Sequence, residues 1–260
     1  MKKPPLKKGD FTHLAENYSK YRPAYSATVR DALIGMLPKP AEKVRVADVG
    51  AGTGIWSRML AEKVDRVIAV EPNDEMRRFG ISDSKGLRIT FRSGSGEGTG
   101  LAARSVDMVS MASSFHWVNF EKGLAEFHRI LRPGGRFVAL WNPRLLEVNP
   151  LLVEIEAEIG RLNPKIKRVS SGASGITATL SERLWGSRLF DDVVYVEGRH
   201  VIHQTPEQYL GVWRSVNDVR HQLGPEKWQI FLDRVQKKIA GKEHIVTTYW
   251  TRAWSARRIR

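Results

Sequence analysis

Gly50, Gly52 and Gly54 stand on alternate positions directly after the apolar run "VRVADV", and Glu71 ends the next apolar run, "RVIAVEP". Glycine reaches left-handed backbone at no steric cost and lets a ligand approach the main chain closely. A strand entering this triplet therefore predicts a turn built around a bound group, and the spacing narrows what that group is. A dinucleotide fingerprint reads G-x-G-x-x-G, with the third glycine allowing close helix packing. Here the triplet reads G-x-G-x-G, and Ile55 stands where that third glycine belongs. No Gly-Lys-Ser/Thr follows, so the turn is not a P-loop either. Glu71 lies about 20 residues on, where a carboxylate accepts both hydrogen bonds of a ribose diol. Loop and carboxylate together point to a nucleoside ligand without a pyrophosphate.

The surrounding elements must hold that turn. "SATVRDALIGMLPK" has helical periodicity and ends at proline. From there "KVRVADVG", "RVIAVEP", "LRITFRSG", "VDMVSMAS" and "GRFVALWN" read as strands. The helical segments "GIWSRMLAEKV", "DEMRRFGI" and "FEKGLAEFHRIL" interleave with them. Such alternation implies an α/β fold with a parallel, doubly wound sheet. The rhythm breaks after Asn142: a helix in "NPLLVEIEAEIGRLNP", a flexible stretch "VSSGASGITATLS", then the strand-like "DDVVYVEGRHVIHQ". Thr205 caps a helix in "TPEQYLGVWRSV", another helix begins at "GPEK", and "HIVTTYWTRAWSARR" is β-rich. The organisation expected is a lid and helix over residues 1–40, a binding core over 41–142, an inserted helical cap over 143–189, and a return to the sheet over 190–260.

With 260 residues, the chain is long enough for one large domain with an insertion. No apolar stretch approaches the ~20 residues that span a bilayer, and no apolar run follows "MKKPPLKKGDF", so a cytoplasmic protein without a membrane partner is expected. The absence of cysteine excludes disulfides, thiolate nucleophiles and Cys-ligated metals. The seven histidines show no HExxH-like spacing, so no metal is expected. Lys and Arg number 42 against 28 Asp and Glu, a formal charge of +14. That surplus suits a solvated surface, the steering of an anionic small substrate, or nucleic acid. The basic residues are dispersed and form no long basic helix.

The chain resembles the class I S-adenosylmethionine-dependent methyltransferases through "VADVGAGTG", "VIAVEPNDEMR", "SVDMVSMASSFHWV" and "LAEFHRILRPGGRFVALWN". Its opening, "FTHLAENYSKYRPAYS", is similar to that of the small-molecule branch, which includes trans-aconitate and ubiquinone/menaquinone-type methyltransferases. The resemblance covers most of residues 11–142 and becomes loose beyond. It implies a Rossmann-like seven-stranded sheet with a final antiparallel strand, and S-adenosylmethionine across the carboxyl ends of the first strands. By the same resemblance, Gly50, Ala51 and Gly52 face the methionine part, and Asp48 orients the loop or reaches the amino group through water. Glu71 holds the ribose, while Pro72, Asn73 and Met76 flank adenine. Ser95, Gly96 and Glu97 occupy the stretch where relatives read "GDAE", which puts Ser95 in place of an adenine-contacting aspartate. Ser113 joins the cofactor set, and Tyr18 and Arg22 of "YSKYRP" fold over it as a lid.

Methyl transfer from a sulfonium is an in-line displacement, so alignment alone can contribute roughly 7–11 kcal/mol. A carboxylate or neutral amine attacks directly, whereas an alcohol or phenol must lose its proton. His116 is the candidate base, with packing against Trp117 as the alternative reading. A substrate wall is expected from Tyr21, Trp117, Trp141, Arg144, Trp213 and Arg214, suited to an anionic or aromatic small molecule methylated at oxygen. Two other readings stand beside it: an RNA methyltransferase using the basic surface, and a cofactor-binding protein without transferase activity.

Overall fold

The protein, described here by a computed structural model over residues 13–167 and 175–259, is organised around a sheet of seven strands. These are β1 (Arg45–Val49), β2 (Arg66–Val70), β3 (Ile89–Arg92), β4 (Val106–Ala112), β5 (Leu131–Trp141), β6 (Phe190–Gln204) and β7 (Ile245–Arg258). Their order is β3-β2-β1-β4-β5-β7-β6. The first five run parallel, while β7 lies antiparallel between β5 and β6. The chain order reverses at β1 and β4, and a crevice opens there at the strand ends, the usual place for a ligand in such sheets.

The central strands are apolar on both faces, as a sheet covered on both sides requires. Val46, Val138 and Leu140 point toward α2 (Ala27–Gly35) and α3 (Ile55–Ala61), against Val29, Leu33, Trp56 and Leu60. Ala47, Phe137 and Ala139 point the other way, toward α5 (Phe120–Ile130) and α7 (Leu180–Gly186), against Phe127, Leu180, Leu184 and Phe190. β6 closes the edge and alternates between half-buried and exposed residues, as a strand covered on one face does. α4 (Asp74–Asp83) precedes β3, with the Asn73 side chain accepting the Met76 N–H at its start.

A third core lies apart from the sheet. α6 (Pro150–Leu162), α8 (Pro206–Arg214) and α9 (Asn217–Ile239) pack Leu152, Ile155, Tyr209, Trp213, Val219 and Phe231 against one another. The cap is thus assembled from two excursions, one between β5 and β6 and one between β6 and β7. This redraws the expected division of the chain. α7 covers the sheet instead of joining the insertion, and α8 and α9 belong with α6. The stretch read as flexible holds a 3-10 turn at Gly175–Ala178 and the buried Leu180; its residues 169–174, like residues 1–12 of the expected lid, lie outside those described. α9 also starts before "GPEK", because Gly224 at φ +72° breaks one helix and Pro225 begins the next turn. Among the described residues, no helix is long and apolar enough to cross a membrane.

Candidate functional site

The chain leaves β1 through the glycine turn, with φ of +67° at Gly50, +57° at Gly52 and +77° at Gly54. A Cβ on Gly50 would lie 2.7 Å from the Cβ of Ser114, so the turn needs glycine there for space as well as for conformation. Below it, Asp48 is fully buried and accepts hydrogen bonds from Ser57 Oγ at 2.5 Å and Ser110 Oγ at 3.3 Å. Burial pushes its carboxyl up to about 7, against those two hydroxyls and with a smaller push from Glu71.

Glu71 leaves the end of β2 toward the same turn. Its Oε2 accepts the Gly52 N–H at 2.8 Å and its Oε1 accepts the Asn73 N–H at 2.9 Å. Burial raises its pKa, opposed by those two N–H groups and by Arg77. A carboxylate has about four lone-pair sites, so each oxygen keeps one for a further donor, the arrangement a vicinal diol needs. The cavity beside it has a volume of about 360 Å³, within the range of small-molecule sites. Gly50, Ala51, Gly52, Glu71, Pro72, Asn73, Met76, Ser95, Gly96 and Glu97 line this end. Glu97 also accepts the Asn119 N–H at 2.8 Å, tying the loop to the start of α5. These residues fit S-adenosylmethionine: a glycine cradle for its backbone-like end, a two-oxygen acceptor for its ribose, and Pro72 and Met76 as apolar surfaces for its base.

The other end of the cavity lies over β4, β5 and β7. Ser113 follows β4 in the left-handed region at φ +55°, uncommon outside glycine. Its Oγ lies 3.0 Å from the Tyr25 hydroxyl. His116 and the half-exposed Trp117 follow, their rings 4.6 Å apart. Trp141 Nε1 donates to His116 Nδ1 at 3.4 Å. A neutral histidine accepting at Nδ1 carries its proton on Nε2, so this contact favours His116 as a donor over a role as base. Arg144 and Tyr249 close the inner wall.

Over the cleft lies α1 (Ala15–Tyr21). Preceding it, the His13 N–H donates to Glu75 of α4; at its far end, the Tyr21 hydroxyl donates to Glu207 of α8 at 2.9 Å. Arg22 lies just past the helix, with extended backbone. Its Nε donates to Ser215 Oγ at 2.8 Å, and its guanidinium stacks on Tyr18 at 5.0 Å. The lid thereby bridges the cofactor-side helix and the cap, and Tyr18 and Arg22 both face the cavity.

Five expected site residues do not line it. Asp48 supports the glycine turn from beneath, fully buried with its two oxygens turned to Ser57 and Ser110. Tyr21 packs its ring on Gly211, latching the lid to α8. Trp141 is buried in the sheet and reaches the site only through His116. Trp213 is fully buried against Phe231, with its face under the Arg144 guanidinium at 4.2 Å. Arg214 ends α8 on its exposed side. In their place the structure brings Tyr25, Asn142, Tyr249, Val212 and Val216 into the wall. Local sequence signals nothing about them, since they come from four separate segments. Among the described residues, no three His, Asp or Glu side chains converge to hold a metal.

Residues 47–139 match the family model described as a methyltransferase domain. An uncharacterized methyltransferase of Mycobacterium tuberculosis is 37% identical over 130 residues, 49% of each chain. A ubiquinone/menaquinone biosynthesis C-methyltransferase of Rubrivivax gelatinosus is 31% identical over 39% of this chain and 40% of its own. The matches thus span about half or less of these relatives. Among solved structures, one from Anaeromyxobacter dehalogenans described as a type II methyltransferase superposes with a TM-score of 0.66 at 22% identity, covering 91% of this chain and 98% of that one. The fold, the glycine turn with its carboxylate and the family match agree on a methyltransferase domain over residues 47–139, the stretch through which the chain resembles the class I S-adenosylmethionine-dependent methyltransferases.

Proposed function

We propose that this protein transfers a methyl group from S-adenosylmethionine to the oxygen of a small, anionic or aromatic acceptor. The observation that carries the reading is one roofed cavity with the glycine turn and Glu71 at one end and Trp117, His116 and Arg144 at the other. Lid and cap cover it, which favours a small molecule over a polymer such as RNA.

When bound, the cofactor supplies a methyl group activated by its sulfonium charge. Gly52 and Asn73 hold the Glu71 carboxylate in the orientation that grips a ribose diol. Tyr18 and Arg22 close the top of the site, and the stack between them keeps the lid in register with the cap. With the cofactor held by Glu71 and the glycine turn, the far wall of the cavity would align an acceptor oxygen with the methyl group, and the sulfonium would supply the leaving group, its sulfur keeping the electron pair of the carbon–sulfur bond. An acceptor carboxylate needs no base; a hydroxyl needs one, and the His116 contact with Trp141 argues against that histidine supplying it. The protein's contribution is therefore alignment and exclusion of water.

Calorimetric titration with S-adenosylmethionine and S-adenosylhomocysteine tests the reading. Wild type is expected to bind both, and Glu71→Ala to weaken them about 100-fold or more, since two hydrogen bonds to a charged group contribute about 1.5–3 kcal/mol each. Wild type that binds neither ligand overturns it.

A further inference from the structure

We infer that Arg144 and Tyr249 form a carboxylate-binding subsite on the inner wall of the cavity, so that the acceptor is anchored by a carboxylate other than the atom receiving the methyl group. The inference rests on the methyltransferase reading above and names the chemistry at its acceptor end.

The two residues are held together by backbone pairing. The chain leaves β5 through Asn142 and Pro143 and lies antiparallel to β7: Trp250 N–H donates to Pro143 O and Leu145 N–H to Thr248 O, both at 2.9 Å. Arg144 and Tyr249 are directly opposite each other in this bridge. Residues opposite in an antiparallel pair project to the same side, their Cβ atoms ≈ 4.5–5.5 Å apart. Both side chains face the cavity and both are buried, with 10% of the Arg144 side chain and 3% of Tyr249 exposed.

Each keeps a polar atom unsatisfied, although the Tyr209 hydroxyl lies beside the Arg144 guanidinium. Arg144 Nη1 and the Tyr249 hydroxyl have no hydrogen-bond partner. The nearest carboxylate to Arg144, Glu156, is 3.7 Å from Nη2, an ion pair too long for a hydrogen bond. The face of the guanidinium is occupied by Trp213, which fixes its plane and leaves its edge to be used. Buried donors without acceptors are costly, and more so when charged. A planar two-oxygen anion fits the rigid donor fork of arginine, and the Tyr249 hydroxyl adds a donor beside it. Burial raises the Tyr249 pKa against the opposing charges of Arg144 and Arg22, so the hydroxyl keeps its proton.

The position argues for the acceptor over the cofactor's own carboxylate. Arg144 and Tyr249 sit beyond β5 and on β7, two and three strands from β1, which carries the glycine turn. At ≈ 4.8 Å per strand that is roughly 10–14 Å. An anion paired with a guanidinium is also a poorer nucleophile than a free one, so the anchored group serves as a handle and the methyl group goes elsewhere on the molecule.

The test titrates benzoate and succinate, with neutral benzamide as control, into wild type, Arg144→Gln and Tyr249→Phe. Each titration is run with and without saturating S-adenosylhomocysteine. We expect a carboxylate to bind wild type at least tenfold more tightly than benzamide. Arg144→Gln should weaken it tenfold or more, and Tyr249→Phe, which removes one oxygen and no packing, at least threefold. S-adenosylhomocysteine affinity should change less than threefold in both variants, which also shows that they fold. Equal binding of acid and amide, or no binding of either acid, overturns the subsite. A tenfold loss of S-adenosylhomocysteine affinity in Arg144→Gln, with that ligand still bound normally by Tyr249→Phe, assigns the arginine to the cofactor instead and also overturns it. Wild type that ignores S-adenosylhomocysteine refutes the methyltransferase reading, while the titrations without it still decide the subsite.

Discussion

Replacing Asp48 with asparagine separates the charge of this buried carboxylate from its shape. Its oxygens take hydrogen bonds from Ser57 and Ser110, and an amide of the same outline can keep both hydroxyls engaged. The charge is what the site tolerates poorly: burial raises the pKa to about 7, against about 3.9 for aspartate in an unfolded chain. A carboxyl raised in the folded state contributes stability that is complete below the unfolded value and is lost as pH rises through the folded one. Each unit of difference is worth about 1.4 kcal/mol, so the stability of Asp48→Asn relative to wild type should grow by about 2–3 kcal/mol between pH 5 and pH 8. For a chain of this size that corresponds to roughly 5–10 °C in relative Tm. Urea unfolding of both proteins across that range measures it, and taking the difference cancels every other titrating group. A difference that stays flat to within about 0.5 kcal/mol would falsify the argument that burial dominates this carboxyl.

Asp107 should behave in the opposite sense. It is buried, which raises its pKa, but Lys39 at 2.6 Å, the Arg45 N–H and Arg132 at 2.8 Å outweigh that and bring it below the ordinary value. Asp107→Ala should cost about 2 kcal/mol at pH 7, the scale of charge-assisted hydrogen bonds from partly exposed partners, a penalty that shrinks as pH falls through the carboxylate range; a cost independent of pH would count against the ion-pair account. Gly50→Ala should abolish S-adenosylhomocysteine binding and lower stability by about 1–3 kcal/mol, because the new Cβ meets Ser114 and the backbone is left-handed. Unchanged binding in calorimetry would show that the turn does not cradle the ligand. Nitrogen-15 NMR of the histidine rings should find His116 protonated at Nε2 and not at Nδ1 at pH 7.5, as its bond from Trp141 requires; the reverse tautomer would reopen its role as a base.

What local chemistry governs could be read along the chain. The alternate glycines and Glu71 act within one strand–turn–helix–strand unit, so their spacing carries their geometry. The strands alternating with helices up to Asn142 follow from apolar periodicity, and Thr205 with Pro206 marks the start of α8, where the structure has a full capping box with Gln208. The arrangement of the cap was not legible, because α6, α8 and α9 look like independent amphipathic helices until they share a core. For the same reason Trp213 looked like a binding surface. A tryptophan on a helix is apolar whichever way it faces, and only packing against Phe231 decides that it is interior.

By itself the sequence determined a doubly wound α/β chain with a nucleoside-binding turn and a carboxylate placed for a ribose. The tertiary structure alone decided the acceptor end. Arg144 meets Tyr249 because the segment after β5 pairs with β7, and Ser113 adopts left-handed backbone with its N–H bonded to Leu140 O and its hydroxyl beside Tyr25. Contacts between segments so far apart depend on register and on how insertions pack. Neither leaves a trace in residue spacing, because each partner satisfies only local rules until the fold brings the other to it.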